Sequence, residues 1–138
     1  MGVLEGKNEK LFDAKAVKKY GADKHGMKKY IFAFLYKGSN RNLSKEEANK
    51  LQLQHLQNID RLANEAKLVL AGPFFGDGDL RGLYIFNVST IEEAKALVNS
   101  DPAIQQKSLR MELKEWYGSA ALMAVNDIHK TLAAKAIL

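Results

Sequence analysis

The positions Ala48, Leu51, His55, Ile59, Leu62 and Ala66 follow one another at steps of three or four residues, the spacing that sets side chains on one face of an α-helix. Ser44, with Glu47 three residues later, forms a capping box, so a long helix is predicted over 44–66. Before it, residues 29–36 put Tyr30, Phe32, Phe34 and Tyr36 on one side of an extended chain and Ile31, Ala33 and Leu35 on the other. A strand that is apolar on both faces belongs at the centre of a sheet, covered from both sides. Residues 67–71 read as a second strand stopped by Gly72-Pro73, because proline cannot continue a ladder. After a turn rich in glycine and aspartate, residues 81–88 read as a third strand, with Leu83 and Ile85 opposed to Tyr84, Phe86 and Val88. A second capping pair, Ser89 and Glu92, opens a helix over 91–99 with Ile91, Ala94, Leu97 and Val98 inward. Residues 108–116 alternate Leu109, Met111 and Leu113 with Arg110, Glu112 and Lys114, the mark of a half-exposed edge strand.

The order β-α-β-β-α-β predicts an α+β, ferredoxin-like fold with an antiparallel four-stranded sheet. A polar N-terminal arm over 1–28, with a helical turn or two around 11–20, precedes it. A C-terminal extension over 118–138 follows, with a helical pattern at Leu122, Val125, Ile128 and Leu132. At 138 residues the chain makes a single domain with its core over 29–117. Two helices cover one face of such a sheet, yet the first and third strands are apolar on both. A second copy of the sheet in a two-fold homodimer is the expected cover, with the C-terminal helix sharing in it.

Composition removes several function classes. The chain has no cysteine, which excludes disulfides, thiolate zinc sites and cysteine nucleophiles. Its 21 basic and 16 acidic side chains leave a formal charge of +5, with lysines gathered at Lys15, Lys18, Lys19, Lys24, Lys28 and Lys29. No aromatic stacking pattern or nucleic-acid motif accompanies them, so a solvated basic arm is expected and a nucleic-acid partner is not. No apolar run approaches the ~20 residues that span a bilayer, so no membrane partner is expected. Residues 1–10 are too polar for the apolar stretch of a signal peptide. The cytoplasm is the default compartment; the polar opening also resembles the start of an exported protein whose leader has been removed.

His55 is the focus of the candidate chemistry. An imidazole on a core-facing stripe either serves structure, by donating to a buried acceptor, or acts as a general acid or base. Asp101, followed by Pro102, reads as a helix start whose carboxylate accepts from backbone amides, a role compatible with a second one in a site. Asp77-Gly78-Asp79 lacks the further oxygen ligands of a calcium loop and reads as a hairpin turn. His25 and His129 stand without partners at metal-ligand spacing, so no metal is expected. There is no G-x-S-x-G, phosphate loop or dinucleotide fingerprint, and no cofactor is expected.

Taken together, His55-Leu56, the strand from Leu68 through Ala71 to Gly72-Pro73, Gly82, Glu92-Glu93-Ala94 and Asp101-Pro102 resemble the YCII-related (YciI-like) proteins over about residues 29–117. In that family a helix histidine precedes a strand ending in Ala-Gly-Pro, and the second helix ends at Asp-Pro. The long N-terminal arm and the C-terminal helix depart from its core pattern. The resemblance implies a dimeric α+β barrel of ferredoxin-like subunits, similar in architecture to muconolactone isomerases, and a His-Asp pair carried here by His55 and Asp101. One branch of the family consists of dehydrochlorinases acting on chlorinated hydroquinones. The expected function is cofactor-independent proton transfer of isomerase or lyase type on a small cyclic or carbonyl substrate. Tyr36, Gly72, Pro73 and Phe74 are the candidate substrate-binding residues; for Tyr36 and Phe74 the first reading is a core or dimer contact and the second a wall of the pocket. The alternative is a non-catalytic dimer module, binding a small molecule or purely structural.

Overall fold

The structure, a computed structural model, describes residues 11–136, so the polar opening at 1–10 and the end of the C-terminal extension lie outside the described residues. Its elements are α1 (Ala14–Tyr20), β1 (Met27–Lys37), α2 (Lys45–Asn64), β2 (Leu68–Pro73), β3 (Leu80–Phe86), α3 (Ile91–Val98), α4 (Pro102–Gln105), β4 (Leu109–Ser119), a 3-10 turn (Ala120–Ala124) and α5 (Val125–Leu132). The strands form one antiparallel sheet in the order β2-β3-β1-β4. This is the ferredoxin-like arrangement predicted from the alternation, with the two doubly apolar strands, β1 and β3, at the centre. β1 starts at Met27, two residues before the predicted strand and inside the span assigned to the arm, because it pairs with β4 from Met27 opposite Ser119 to Lys37 opposite Leu109.

α2, α3 and α4 pack on one sheet face. Ile31, Ala33 and Leu35 of β1, Tyr84 and Phe86 of β3, and Leu68 of β2 meet Leu62 of α2 and Ala94 and Val98 of α3 in the main core. The capping box at the start of α2 is present, with Ser44 Oγ accepting from the Glu47 amide and Glu47 Oε1 accepting from the Ser44 amide, both at 3.1 Å. Leu51, His55, Asn58 and Leu62 are its buried residues. The predicted stripe is therefore shortened at both ends. Ala48 is exposed, and Ala66 lies past the helix in a left-handed conformation, φ 58°, where the Lys67 amide bonds back to Leu62 O at 2.9 Å and closes the helix end. The cap of α3 is Thr90 and not Ser89: Thr90 Oγ1 accepts from the Glu93 amide at 3.2 Å, since burying Ala94 and Val98 makes Ile91 the first helical residue.

The second sheet face is covered at one end by the chain itself. Leu122 and Met123 of the 3-10 turn pack on Tyr30, Val69 and Ile85. The Tyr30 hydroxyl donates to Ser119 O and Asn126 Nδ2 donates to Leu68 O, each at 2.8 Å, which ties this segment down. The loop before β1 is held by Asp23, whose carboxylate accepts from the His25 and Met27 amides and from the Tyr117 hydroxyl. Beyond the covered end lies an aromatic cluster in which Phe32 meets Phe34 at 4.9 Å and Trp116 at 5.6 Å between ring centroids.

Leu62, 1% exposed, should lose about 2–5 kcal/mol of stability as Leu62→Ala, because the methyls it removes leave a cavity between α2 and the sheet. Leu53→Ala, at a half-exposed position of the same helix, should stay within about 0.5 kcal/mol. Urea unfolding of the two variants tests this; equal losses would mean that α2 does not present the Leu51–Leu62 face to the core.

Candidate active site

Three elements bring polar side chains together inside the apolar core. α2 turns His55 toward the sheet. Asp101, just after α3, is the N-cap of α4, with Pro102 in the first turn where its missing N–H costs no hydrogen bond. Tyr84, in the middle of β3, points to the helix side, paired across the sheet with Ala33 and Ala71, whose small side chains leave room for its ring. His55 is 8%, Asp101 1% and Tyr84 3% exposed.

The geometry orders the three groups in a line. Asp101 Oδ1 accepts from the Ala103 amide at 2.8 Å, and its other oxygen, Oδ2, lies 2.6 Å from His55 Nδ1. An ionised carboxylate only accepts, so Nδ1 carries a proton, and in the neutral ring Nε2 then presents its lone pair. Nε2 faces the Tyr84 hydroxyl at 3.3 Å, and the two rings lie nearly parallel, 18° apart. Burial, and secondarily the Asp101 carboxylate, pushes the Tyr84 hydroxyl well above the ordinary tyrosine range, so it remains a proton donor. Beside this line, Asn58 Oδ1 accepts from Arg61 at 2.8 Å while its Nδ2 is buried without a partner among the described residues.

The sequence-derived candidates divide accordingly. His55 and Asp101 are in contact. Tyr36 stands on the other sheet face, where the Arg110 guanidinium lies 4.5 Å from its ring centroid, because β1 alternates and Leu35 takes the helix side. Gly72 and Pro73 close β2 opposite Leu83 and Gly82, and Phe74 is exposed in the loop that follows. The sequence alone does not mark Tyr84 as a site residue, since there it is one apolar position in an alternating strand. A hydroxyl on the core-facing side of a central strand was the available signal, since a buried Tyr O–H needs a partner. Among the described residues, no three His, Asp or Glu side chains gather as a metal-binding group.

Because the folded value of Tyr84 lies above the unfolded one, raising the pH strips the phenolic proton from the unfolded chain first. Its contribution is intact below about pH 10 and is lost above it, by up to about 1.4 kcal/mol per pH unit. Tyr84→Phe should therefore flatten the alkaline decline of the melting midpoint, leaving the smaller part due to Tyr30 and Tyr36, raised first by burial, and Tyr117, raised first by its bond to Asp23. An identical alkaline slope in wild type and variant would mean that Tyr84 titrates as an exposed tyrosine.

The family model described as the YCII-related domain matches residues 31–117. An uncharacterized protein of Bacillus subtilis (strain 168), YjpA, is 32% identical over 62 residues, 45% of this chain and 71% of that protein. Among solved structures, the 5-chloro-2-hydroxyhydroquinone dehydrochlorinase TftG of Burkholderia phenoliruptrix AC1100, in complex with 2,5-dihydroxybenzoquinone, is similar at a TM-score of 0.47 and 22% identity, covering 62% of this chain and 92% of that one.

Proposed function

The chain belongs to the YCII-related family, and on that premise we propose that His55, Asp101 and Tyr84 form the acid–base centre of a cofactor-independent enzyme of isomerase or lyase type, moving one proton on a small cyclic or carbonyl substrate. The observation that carries this reading is the 2.6 Å contact between His55 Nδ1 and an Asp101 carboxylate that is 1% exposed. A charge-assisted hydrogen bond there holds the ring in one tautomer and stabilises the imidazolium that forms when Nε2 accepts a proton. In the proposed step, Nε2 removes a proton from the carbon next to a substrate carbonyl, and the electron pair moves onto the carbonyl oxygen. Tyr84 O–H, kept protonated by its surroundings, donates a hydrogen bond to that oxygen. Return of the proton at another carbon completes an isomerisation; departure of a leaving group with its electron pair completes an elimination. Asp101 is a positioning residue and touches no substrate atom. In the proposed step the 3.3 Å contact between Nε2 and the Tyr84 hydroxyl, at the long end of hydrogen-bond distances, is exchanged for contacts to the substrate.

A second reading rests on the same contact. Both ring nitrogens of His55 already have partners within the chain, which suits a structural clasp between α2, α4 and β3. Solvent-deuterium exchange into a panel of cyclic enones and enol lactones separates the two. The enzyme reading expects accelerated exchange on a panel member, reduced about 10²- to 10⁴-fold in His55→Ala. The clasp reading expects no exchange, and a loss of about 3–5 kcal/mol of stability when either partner of the buried pair is removed.

The reading includes a homodimer formed through the second sheet face. Phe32, Phe34, Leu83 and Trp116 leave that face apolar and half-exposed beyond the C-terminal cover. Phe34→Glu places a charge at its middle and should give a folded monomer in sedimentation equilibrium where the wild type is a dimer. A wild type that sediments as a monomer would remove the dimer from the reading.

A further inference from the structure

On the helix side of the β4 edge lies a groove of about 620 Å3, walled by α3 and α4 and floored by β4. Its volume falls within the about 300–1,000 Å3 of small-molecule sites. Ile91, Val98, Ile104, Leu109, Met111 and Leu113 give it an apolar surface, and Lys95 and Lys107 stand at its rim. No aspartate or glutamate lines it, and neither lysine has an ion-pair partner among the described residues. Arg110 also lines the groove, but its guanidinium is engaged by Tyr36 and, at 3.5 Å, by Asp79. The mouth is firmly built. Lys107 sits in a left-handed conformation, φ 61°, its carbonyl accepting from the Asn40 amide at 3.0 Å, and Gly38 passes so close that a Cβ there would lie 2.0 Å from Lys107 O. A position that glycine or asparagine would fill with less strain holds instead a lysine, at the groove's lining.

We propose that this groove binds a small amphipathic carboxylic acid, with its hydrocarbon body along Met111, Leu113 and Val98 and its carboxylate between the ammonium groups of Lys95 and Lys107. Charge complementarity selects the occupant: the rim supplies two unpaired cations and no anion, on a chain of net charge +5. His55 and Asp101 do not line the groove, so the site stands independently of the proton-transfer reading.

The test is titration of the full chain with decanoate, followed by amide chemical shifts and calorimetry, with decan-1-ol as the uncharged control. Support requires saturable shifts confined to α3, α4 and β4 around the groove, and decan-1-ol binding more weakly than decanoate. In Lys95→Gln/Lys107→Asn both positions are exposed and asparagine accepts the left-handed backbone, so the fold is retained. That variant should bind decanoate about five- to tenfold more weakly, the worth of two partly exposed ion pairs. Shifts centred on Phe32, Phe34 and Trp116, equal binding of acid and alcohol, unchanged affinity in the double variant, or no saturable binding would each overturn the proposal.

Discussion

One carboxylate joins two parts of the fold that are far apart in sequence. Asp101 uses Oδ1 to cap its own short helix and Oδ2 to hold His55 on α2, at a place where almost no solvent reaches it. A buried charge with so little water around it is tolerable only when fully partnered, so the position of α4 and the rotation of α2 are coupled through it. Proline at the next position pre-sets the first turn of α4 and leaves the Ala103 amide free for the carboxylate.

The sheet makes this arrangement hold. β1 and β3 carry large apolar side chains on both faces, and the helix-side set seats α2 and α3 close enough for a His-Asp contact across them. Tyr84 comes from the same set. Its ring is part of the core while its hydroxyl is the third polar group of the line, so packing and polarity at that position are satisfied by a single residue. On the other face the sheet is closed at one end by Leu122 and Met123 and left apolar beyond, which makes the two faces unequal in purpose. One is a finished interior and the other stays half-exposed beyond its covered end.

Much of the site is assembled by short-range rules that are visible along the chain. The Ser44–Glu47 box starts α2, helical periodicity then places His55 inward, and Asp101-Pro102 marks a helix start. At two helix ends a competing factor overrides the local spacing. Ser89 and Thr90 are both good caps, and the burial of Ala94 and Val98 chose Thr90. Ala66 continues the apolar spacing, but the helix closes before it through the Lys67–Leu62 bond. Tyr36 lies, by strand alternation, on the sheet face away from His55, as the spacing of β1 already indicates.

By itself, the sequence determined which segments are helices and strands, which strands are central, and that His55 faces inward. These follow from periodicities of two and 3.6 residues and from capping chemistry, all of which act over a few neighbouring positions. Only the tertiary structure decided that Asp101 Oδ2 meets Nδ1, that Nε2 meets the Tyr84 hydroxyl, and that two lysines stand over an apolar groove beside β4. Those contacts join residues as many as 46 positions apart in the case of His55 and Asp101. Their existence depends on how the helices settle on the sheet, and no local spacing encodes that.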